Sequence, residues 1–298
     1  MTDPKMLEQI KSGQGFIAAL DQSGGSTPGA LKGYGVAEDA YSSEEEMFAA
    51  IHAMRTRIIT SPCFNGDKVI GAILFEKTMD GDADGEPVPQ ALWARGVVPL
   101  LKVDKGLEDE ADGVKLMKPM PDLDALCERA VRKGIFGTKM RSVIERASPT
   151  GIAAIVKQQF EVAKQIAAHG LMPIIEPEVS IKSPDRAQCD VLLRDEILKA
   201  LDAMQGGQVM LKLTLPAEAN LFAPLVDHPR VLRVVALSGG FSREEACKQL
   251  AQNRGMIASF SRALLSDLRH DQSDAEFDRT LGNAIDEICE ASTAEVAA

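Results

Sequence analysis

Seven ionisable residues sit in runs that are otherwise almost wholly apolar. Asp21 closes Phe16–Asp21, Lys102 lies in Val97–Val103, and Lys139 and Arg141 lie in Thr138–Val143. Glu176 and Glu178 end Met172–Glu178, and Lys212 lies in Val209–Leu215. A lysine flanked by Met210, Leu211 and Leu213 is costly to keep charged, and a nearby cation lowers its proton affinity further. Such a lysine can become a neutral amine near neutral pH. A neutral amine attacks a ketone carbon to form an imine, which then serves as the electron sink for cleaving a neighbouring carbon–carbon bond. Forming the imine expels water and breaking the bond deprotonates a hydroxyl, so proton carriers are needed; Asp21, Glu176 and Glu178 are of the right type. These residues alone do not decide whether Lys102, Lys139 or Lys212 is the nucleophile.

Two glycine pairs extend the pattern. Ser238-Gly239-Gly240 follows an apolar run and precedes a helix start at Ser242, and Gly lets backbone N–H groups approach an anion at a helix N-terminus. Alone that tripeptide would be an ordinary turn. Arg262, and the segment Gln22–Ser26 after Asp21, add further groups suited to phosphate. Together they point to an anionic substrate, with room for two phosphates.

The elements that must position these residues are β-rich runs alternating with longer helical patterns, which marks stacked βα units and a parallel sheet. Strands are expected at 16–21, 69–76, 97–103, 138–143, 172–178, 209–215, 231–237 and 256–261. That is the number a (β/α)8 TIM barrel needs, so the fold class is α/β with one barrel. Near-continuous apolarity fits strands covered on both faces. Ser42-x-x-Glu45, Ser242-x-x-Glu245 and Ser273-x-x-Glu276 fit capping boxes, and Ser148-Pro149 and Ser183-Pro184 place Pro in a first helical turn. The stripes Met47, Ile51, Met54, Ile58 and Phe277, Leu281, Ile285, Ile288 are core faces and carry no chemistry. Loops 78–89 and 104–121, both acidic and rich in Gly and Pro, follow strands and are expected on the catalytic face. A paired core charge would explain any one of the strand-end ions, but seven of them around one barrel mouth converge on a pocket. One domain is expected over residues 1–298, with 1–12 and 292–298 as loose ends.

Composition narrows the function classes. A net charge of −11 and a pI near 5.0 disfavour nucleic acid and anionic membranes as partners. An acidic chain that binds an anion must concentrate its cations in the pocket. The five cysteines are scattered without C-x-x-C spacing, so neither a disulfide framework nor a zinc knuckle is expected. The first fifteen residues hold no apolar h-region and no apolar run is long enough to span a bilayer, so a cytoplasmic location is expected.

Residues 18–26, 101–106, 138–143, 173–178, 211–216, 237–240 and 258–264 occur in an order that resembles class I fructose-bisphosphate aldolase, from about Gly13 to about Leu268. The strings LKVDKG and PIIEPE carry most of that specificity. The resemblance implies a glycolytic and gluconeogenic lyase that cleaves fructose 1,6-bisphosphate reversibly to dihydroxyacetone phosphate and glyceraldehyde 3-phosphate, with no metal and no cofactor. It implies Lys212 as the imine-forming lysine and Lys139 as the cation that lowers its pKa. Glu176 becomes the main acid/base, Glu178 its hydrogen-bonding support, and Asp21 the group handling the C4 hydroxyl. Ser238, Gly239 and Arg262 fall where the C1 phosphate binds, and Ser23, Ser26, Lys102 and Arg141 where the C6 phosphate binds. Family members assemble, so a homo-oligomer is expected. Two departures from the animal enzymes matter. Gln22 follows Asp21 where those enzymes have an acidic residue, and the chain ends without the tyrosine that exchanges the enamine proton there. Glu176 or an ordered water is expected to take over that exchange.

Three other readings follow from the same residues. A metal-dependent aldolase would need a histidine cluster, but His52, His169, His228 and His270 are far apart in sequence. A transaldolase-like or other Schiff-base aldolase would act on a monophosphorylated ketose, against which the double set of phosphate ligands speaks. A non-catalytic sugar-phosphate-binding barrel would be expected to lack a lysine or carboxylate that this chain retains.

Overall fold

The computed structural model describes residues 3–295. Eight parallel strands run around it in chain order: β1 Phe16–Leu20, β2 Val69–Leu74, β3 Val98–Lys102, β4 Gly137–Ile144, β5 Met172–Val179, β6 Val209–Thr214, β7 Val231–Leu237 and β8 Met256–Ala258. All eight expected strands form. Each neighbour pair is parallel and in sequence order, with helices covering the outside, as in a (β/α)8 TIM barrel. Among the described residues the seam between β1 and β8 is closed by one backbone bond, from Ala19 N–H to the Phe260 carbonyl at 3.0 Å.

Strand alternation divides the core in two. Phe16, Ala18, Leu20, Leu211 and Leu213 belong to the layer packed against the outer helices, which also holds Ile51, Met54, Ile58, Phe277, Leu281, Ile285 and Ile288. Ile17, Ala19, Val98, Leu100, Ile174, Met210, Val235 and Ile257 fill the barrel interior. Side chains two positions apart on a strand share a face. Asp21 therefore shares the face of Ala19, Lys102 that of Leu100, Glu176 that of Ile174, and Lys212 that of Met210. The apolar interior thus gives way to charge at the C-terminal mouth.

The opposite mouth is plugged by a helix over Pro4–Ser12, where loose chain was expected. Asp3 caps it, Pro4 begins it, and Met6 and Ile10 enter the inner cluster. It escapes a periodicity reading because it buries only those two side chains. The other end is also less loose than expected: Ser292 is buried and its hydroxyl accepts from Ala258 N–H at 3.0 Å, while 296–298 lie outside the described residues.

Helix starts shift in two places. The cap of Glu44–Thr60 is Ser43, which accepts from Glu46 N–H at 3.2 Å, and Ser42 instead donates to the Glu46 carboxylate. Ser183-Pro184 forms a turn before Arg186–Asp202, with Ser183 Oγ accepting from Asp185 N–H. Ser273 and Glu276 make the full reciprocal box, Ser242 accepts from Glu245 N–H, and Ser148-Pro149 opens Pro149–Ala168. Of the two long loops, the one after β3 reaches the mouth with Asp104, Gly106 and Leu107, and its Val114–Lys115 pairs antiparallel with the end of β4. The loop after β2 folds into a short helix, Glu76–Asp80, and a two-stranded hairpin; it lends no residue to the mouth.

Candidate active site

The mouth of the barrel holds a cavity of about 630 Å³. It is lined by Lys212, Glu176, Asp21, Lys139, Glu178, Ser23, Ser26, Lys102, Arg141, Ser238, Gly239 and Arg262, so all twelve residues expected to catalyse or to bind substrate face one space. Five cationic side chains meet four carboxylates there, a positive surplus inside a chain of net charge −11.

At its centre is a buried ionic chain that runs along the neighbouring strands β4, β5 and β6 and crosses the barrel mouth to Asp21 at the end of β1. Lys139 Nζ lies 2.7 Å from Asp21 Oδ2 and 2.9 Å from Glu176 Oε2; Glu176 Oε1 lies 3.0 Å from Lys212 Nζ. Lys139, Glu176 and Lys212 are each less than 5% exposed. Burial alone would raise the Asp21 carboxyl, but the charges of Lys139, Lys212 and Lys102 outweigh it and hold that carboxyl far below the usual range. Burial alone would likewise lower Lys139, but Asp21, Glu176 and Asp104 overturn it and hold the ammonium well above its ordinary value. Gln159, itself fully buried, accepts from Glu176 N–H at 3.1 Å and donates to Ser142 Oγ, which fixes β5 at the level of the acid.

Two expected relations take a different form. Glu178 was expected to support Glu176 by hydrogen bonding, but among the described residues it pairs with Arg141 Nε at 2.5 Å. The strand register explains this: Arg141 lies opposite Glu176 on the neighbouring strand, and Glu178 projects from the same face of β5 one pleat further on. Lys139 was expected beside Lys212, whereas the Glu176 carboxylate stands between the two ammonium groups.

The rims differ. On one side Gly24–Ser26 forms a single turn of 3-10 helix, capped by Ser23, whose carbonyl accepts from Ser26 N–H at 3.2 Å and whose N–H donates to Ser26 Oγ at 3.0 Å, leading into the helix Thr27–Tyr34. The cations of that side are engaged: Lys102 Nζ bonds the Asp104 carboxylate at 2.8 Å and its carbonyl at 2.7 Å, and Arg141 holds Glu178. On the other side Gly239 and Gly240 adopt φ of 60° and 115°, which favour glycine, and a Cβ on Gly240 would stand 3.4 Å from the Arg262 guanidinium. Backbone and guanidinium thus converge as an anion cradle requires.

Sequence reasoning missed several lining residues. Asp104 is buried, accepts from Arg141 N–H at 3.2 Å and lies 4.0 Å from Lys139; its signal was its spacing of two from Lys102. Ser259 and Ser261 share the inward face of Ile257, and Ser261 accepts from Gln22 Nε2 at 2.5 Å. His52, His169 and His228 each bind a local partner, and no cluster of three metal-ligating side chains occurs among the described residues.

Fold and cavity define a (β/α)8 barrel with an ionisable site at the C-terminal ends of its strands. The model of class-I fructose-bisphosphate aldolase matches residues 6–229, and the chain belongs to that family of lyases. Ser238, Gly239 and Arg262 lie beyond the matched stretch. The fructose-bisphosphate aldolase of Plasmodium falciparum, solved with TRAP and a small-molecule inhibitor, superposes with a TM-score of 0.81. The two are 21% identical over 98% of this chain and 94% of that one, a likeness of fold. A Toxoplasma gondii chain assigned as an orotidine-monophosphate-decarboxylase is 12% identical with a TM-score of 0.48, covering 97% of this chain and 96% of that one. No helix among the described residues is long and apolar enough to cross a membrane.

Proposed function

We propose that this aldolase cleaves fructose 1,6-bisphosphate reversibly to dihydroxyacetone phosphate and glyceraldehyde 3-phosphate through a Schiff base on Lys212. The observation that carries the reading is the Glu176 carboxylate bridging Lys212 and Lys139 inside the cavity. Glu176 is within reach to take a proton from Lys212 as Nζ attacks C2 of the ketose, and to return one as the C2 hydroxyl leaves as water. Asp21, held ionised by Lys139, then accepts the C4 hydroxyl proton while the C3–C4 electron pair moves into the iminium. The aldehyde departs, the enamine takes a proton at C3 from Glu176 or water, and hydrolysis frees the ketone. Lys139 stays cationic and steadies the anions on either side. Ser238, Gly239 and Arg262 would hold the C1 phosphate, and Ser23, Ser26, Lys102 and Arg141 the C6 phosphate. The reading includes a small sugar phosphate as the only partner beyond a homo-oligomer, a cytoplasmic location, no metal and no cofactor.

The engagement of Lys102 by Asp104 and of Arg141 by Glu178 favours a second reading, in which the C6 side does not take a phosphate and the substrate is a monophosphorylated ketose. Cleavage of fructose 1,6-bisphosphate compared with fructose 1-phosphate separates them. The bisphosphate should be preferred in kcat/KM by about tenfold or more, as charge-assisted contacts to a second phosphate imply. Equal values would favour the monophosphate reading.

A further inference from the structure

The helix Glu44–Thr60 carries a cation inside its apolar stripe. Arg55 is 1% exposed, on the face of Ile51, Met54 and Ile58. A buried guanidinium is costly unless its donors are met, and among the described residues Arg55 forms no salt bridge. Burial lowers its pKa to about 10, with Asp21 the charge that opposes the fall. Its donors go elsewhere. One terminal nitrogen donates to Thr78 Oγ1 at 2.8 Å, at the start of the loop after β2. The other donates to the main-chain carbonyl of Gln22 and, at 3.4 Å, to its side-chain oxygen.

Gln22 directly follows Asp21, and its amide donates to Ser261 on the far side of the β1–β8 seam. Among the described residues a single backbone bond, from Ala19 N–H to the Phe260 carbonyl, holds that seam lower down. Beyond the pairing of Leu20 with Leu74 of β2, the segment that carries Asp21 is held by Arg55 from behind and Ser261 from the side, and the Asp21 carboxylate emerges on the other face to meet Lys139. We infer that Arg55 is a positioning residue for carbon–carbon bond cleavage: by pinning the Gln22 carbonyl it aims the Asp21 carboxylate at the C4 hydroxyl. This rests on the role proposed above for Asp21. It makes Arg55 matter for the step in which Asp21 takes the C4 proton and the C3–C4 pair enters the iminium. It leaves exchange of the C3 proton of dihydroxyacetone phosphate, which has no C4, untouched.

The test uses the full chain and Arg55→Met, which keeps an apolar stem in the stripe, beside Arg55→Lys, which restores charge but not the two-sided donor fork. Cleavage kinetics are measured with fructose 1,6-bisphosphate, and proton exchange with dihydroxyacetone phosphate in deuterated water. Arg55→Met should lower cleavage kcat by about tenfold to a hundredfold with KM within about threefold, as misaiming a reacting group does. Proton exchange should stay within about threefold of the parent, and Arg55→Lys should recover part of kcat. Thr78→Val cuts one anchor of the guanidinium and serves if Arg55→Met does not fold; it should lower cleavage kcat several-fold and spare exchange. Unchanged cleavage in either variant, or cleavage and exchange falling together, overturns the inference. A parent enzyme that exchanges no proton overturns the imine reading and this inference with it.

Discussion

Replacing Lys139 with Met should destabilise the protein and make its stability rise as pH falls from 8 to 5, a dependence that Asp21 and Lys139 do not give the parent. Lys139 stands between two buried carboxylates, 2.7 Å from Asp21 and 2.9 Å from Glu176. At an effective dielectric constant of about 20 each contact is worth about 6 kcal/mol of Coulomb attraction, most of it offset by desolvation of the charges. Removing one member of a buried pair leaves the other uncompensated, at a cost of about 3–5 kcal/mol. In the parent, the folded pKa of Asp21 lies below its unfolded value of 3.8, so its contribution is present above that pH and lost as pH falls through the folded value. The folded pKa of Lys139 lies above 10.5, so its contribution is present below that pH and lost only as pH rises through the folded value. Neither changes stability between pH 5 and pH 8. In Lys139→Met, Asp21 keeps its burial, the largest influence on it, against only the more distant charges of Lys212 and Lys102, and its folded pKa is expected to rise above the unfolded one. The folded variant then binds more protons than the unfolded chain, and its stability rises as pH falls. Urea unfolding of both proteins at pH 8, 7, 6 and 5 measures the loss and its slope. A variant within about 1 kcal/mol of the parent, with a parallel pH profile, would refute the reasoning.

Two further perturbations probe the scaffold around the cavity. Gly239→Ala places a Cβ 2.7 Å from Ile181 Cγ2 at a φ of 60°, so it should raise KM for phosphorylated substrate severalfold and cost about 1–2 kcal/mol of stability; steady-state kinetics and thermal unfolding check both. Asp190 is fully buried, and burial pushes its carboxyl up to about 6 against the pull of Ala217 N–H and Arg186. A folded pKa above the unfolded 3.8 means the parent loses stability as pH rises from about 4 to 6, so Asp190→Asn should gain about 2–3 kcal/mol at pH 8 and little at pH 4. Equal unfolding midpoints for Asp190→Asn and the parent at pH 8 would contradict this.

The barrel was legible because its strands are apolar runs of the right length, and local composition is what determines a strand buried on both faces. The cavity was legible for a related reason: ions such as Lys102, Glu176 and Lys212 break that apolarity at the same end of their strands. Their pairing was not. Lys139, Glu176 and Lys212 project from the neighbouring strands β4, β5 and β6, so their contacts depend on strand register, and Asp21, just after β1, reaches Lys139 only because the barrel closes. Spacing along the chain does not encode that. Asp104 was hidden by the acidic loop it opens, although its parity with Lys102 pointed inward. Arg55 left a clearer signal, a charge four residues after Ile51 and three before Ile58 on a buried stripe. The plug helix was missed because so short a segment gains its stability from the barrel end it covers.

The claim on which the account turns is that Lys212 is the nucleophile. Incubating the protein with dihydroxyacetone phosphate and borohydride in the presence of EDTA, then digesting it and mapping the adduct by mass spectrometry, tests covalency, residue and metal independence together. The account predicts a reduced adduct on Lys212 and irreversible loss of activity in step with its formation. An adduct on Lys102 or Lys139 would contradict the assignment, and no adduct, with cleavage abolished by EDTA, would contradict the imine mechanism itself.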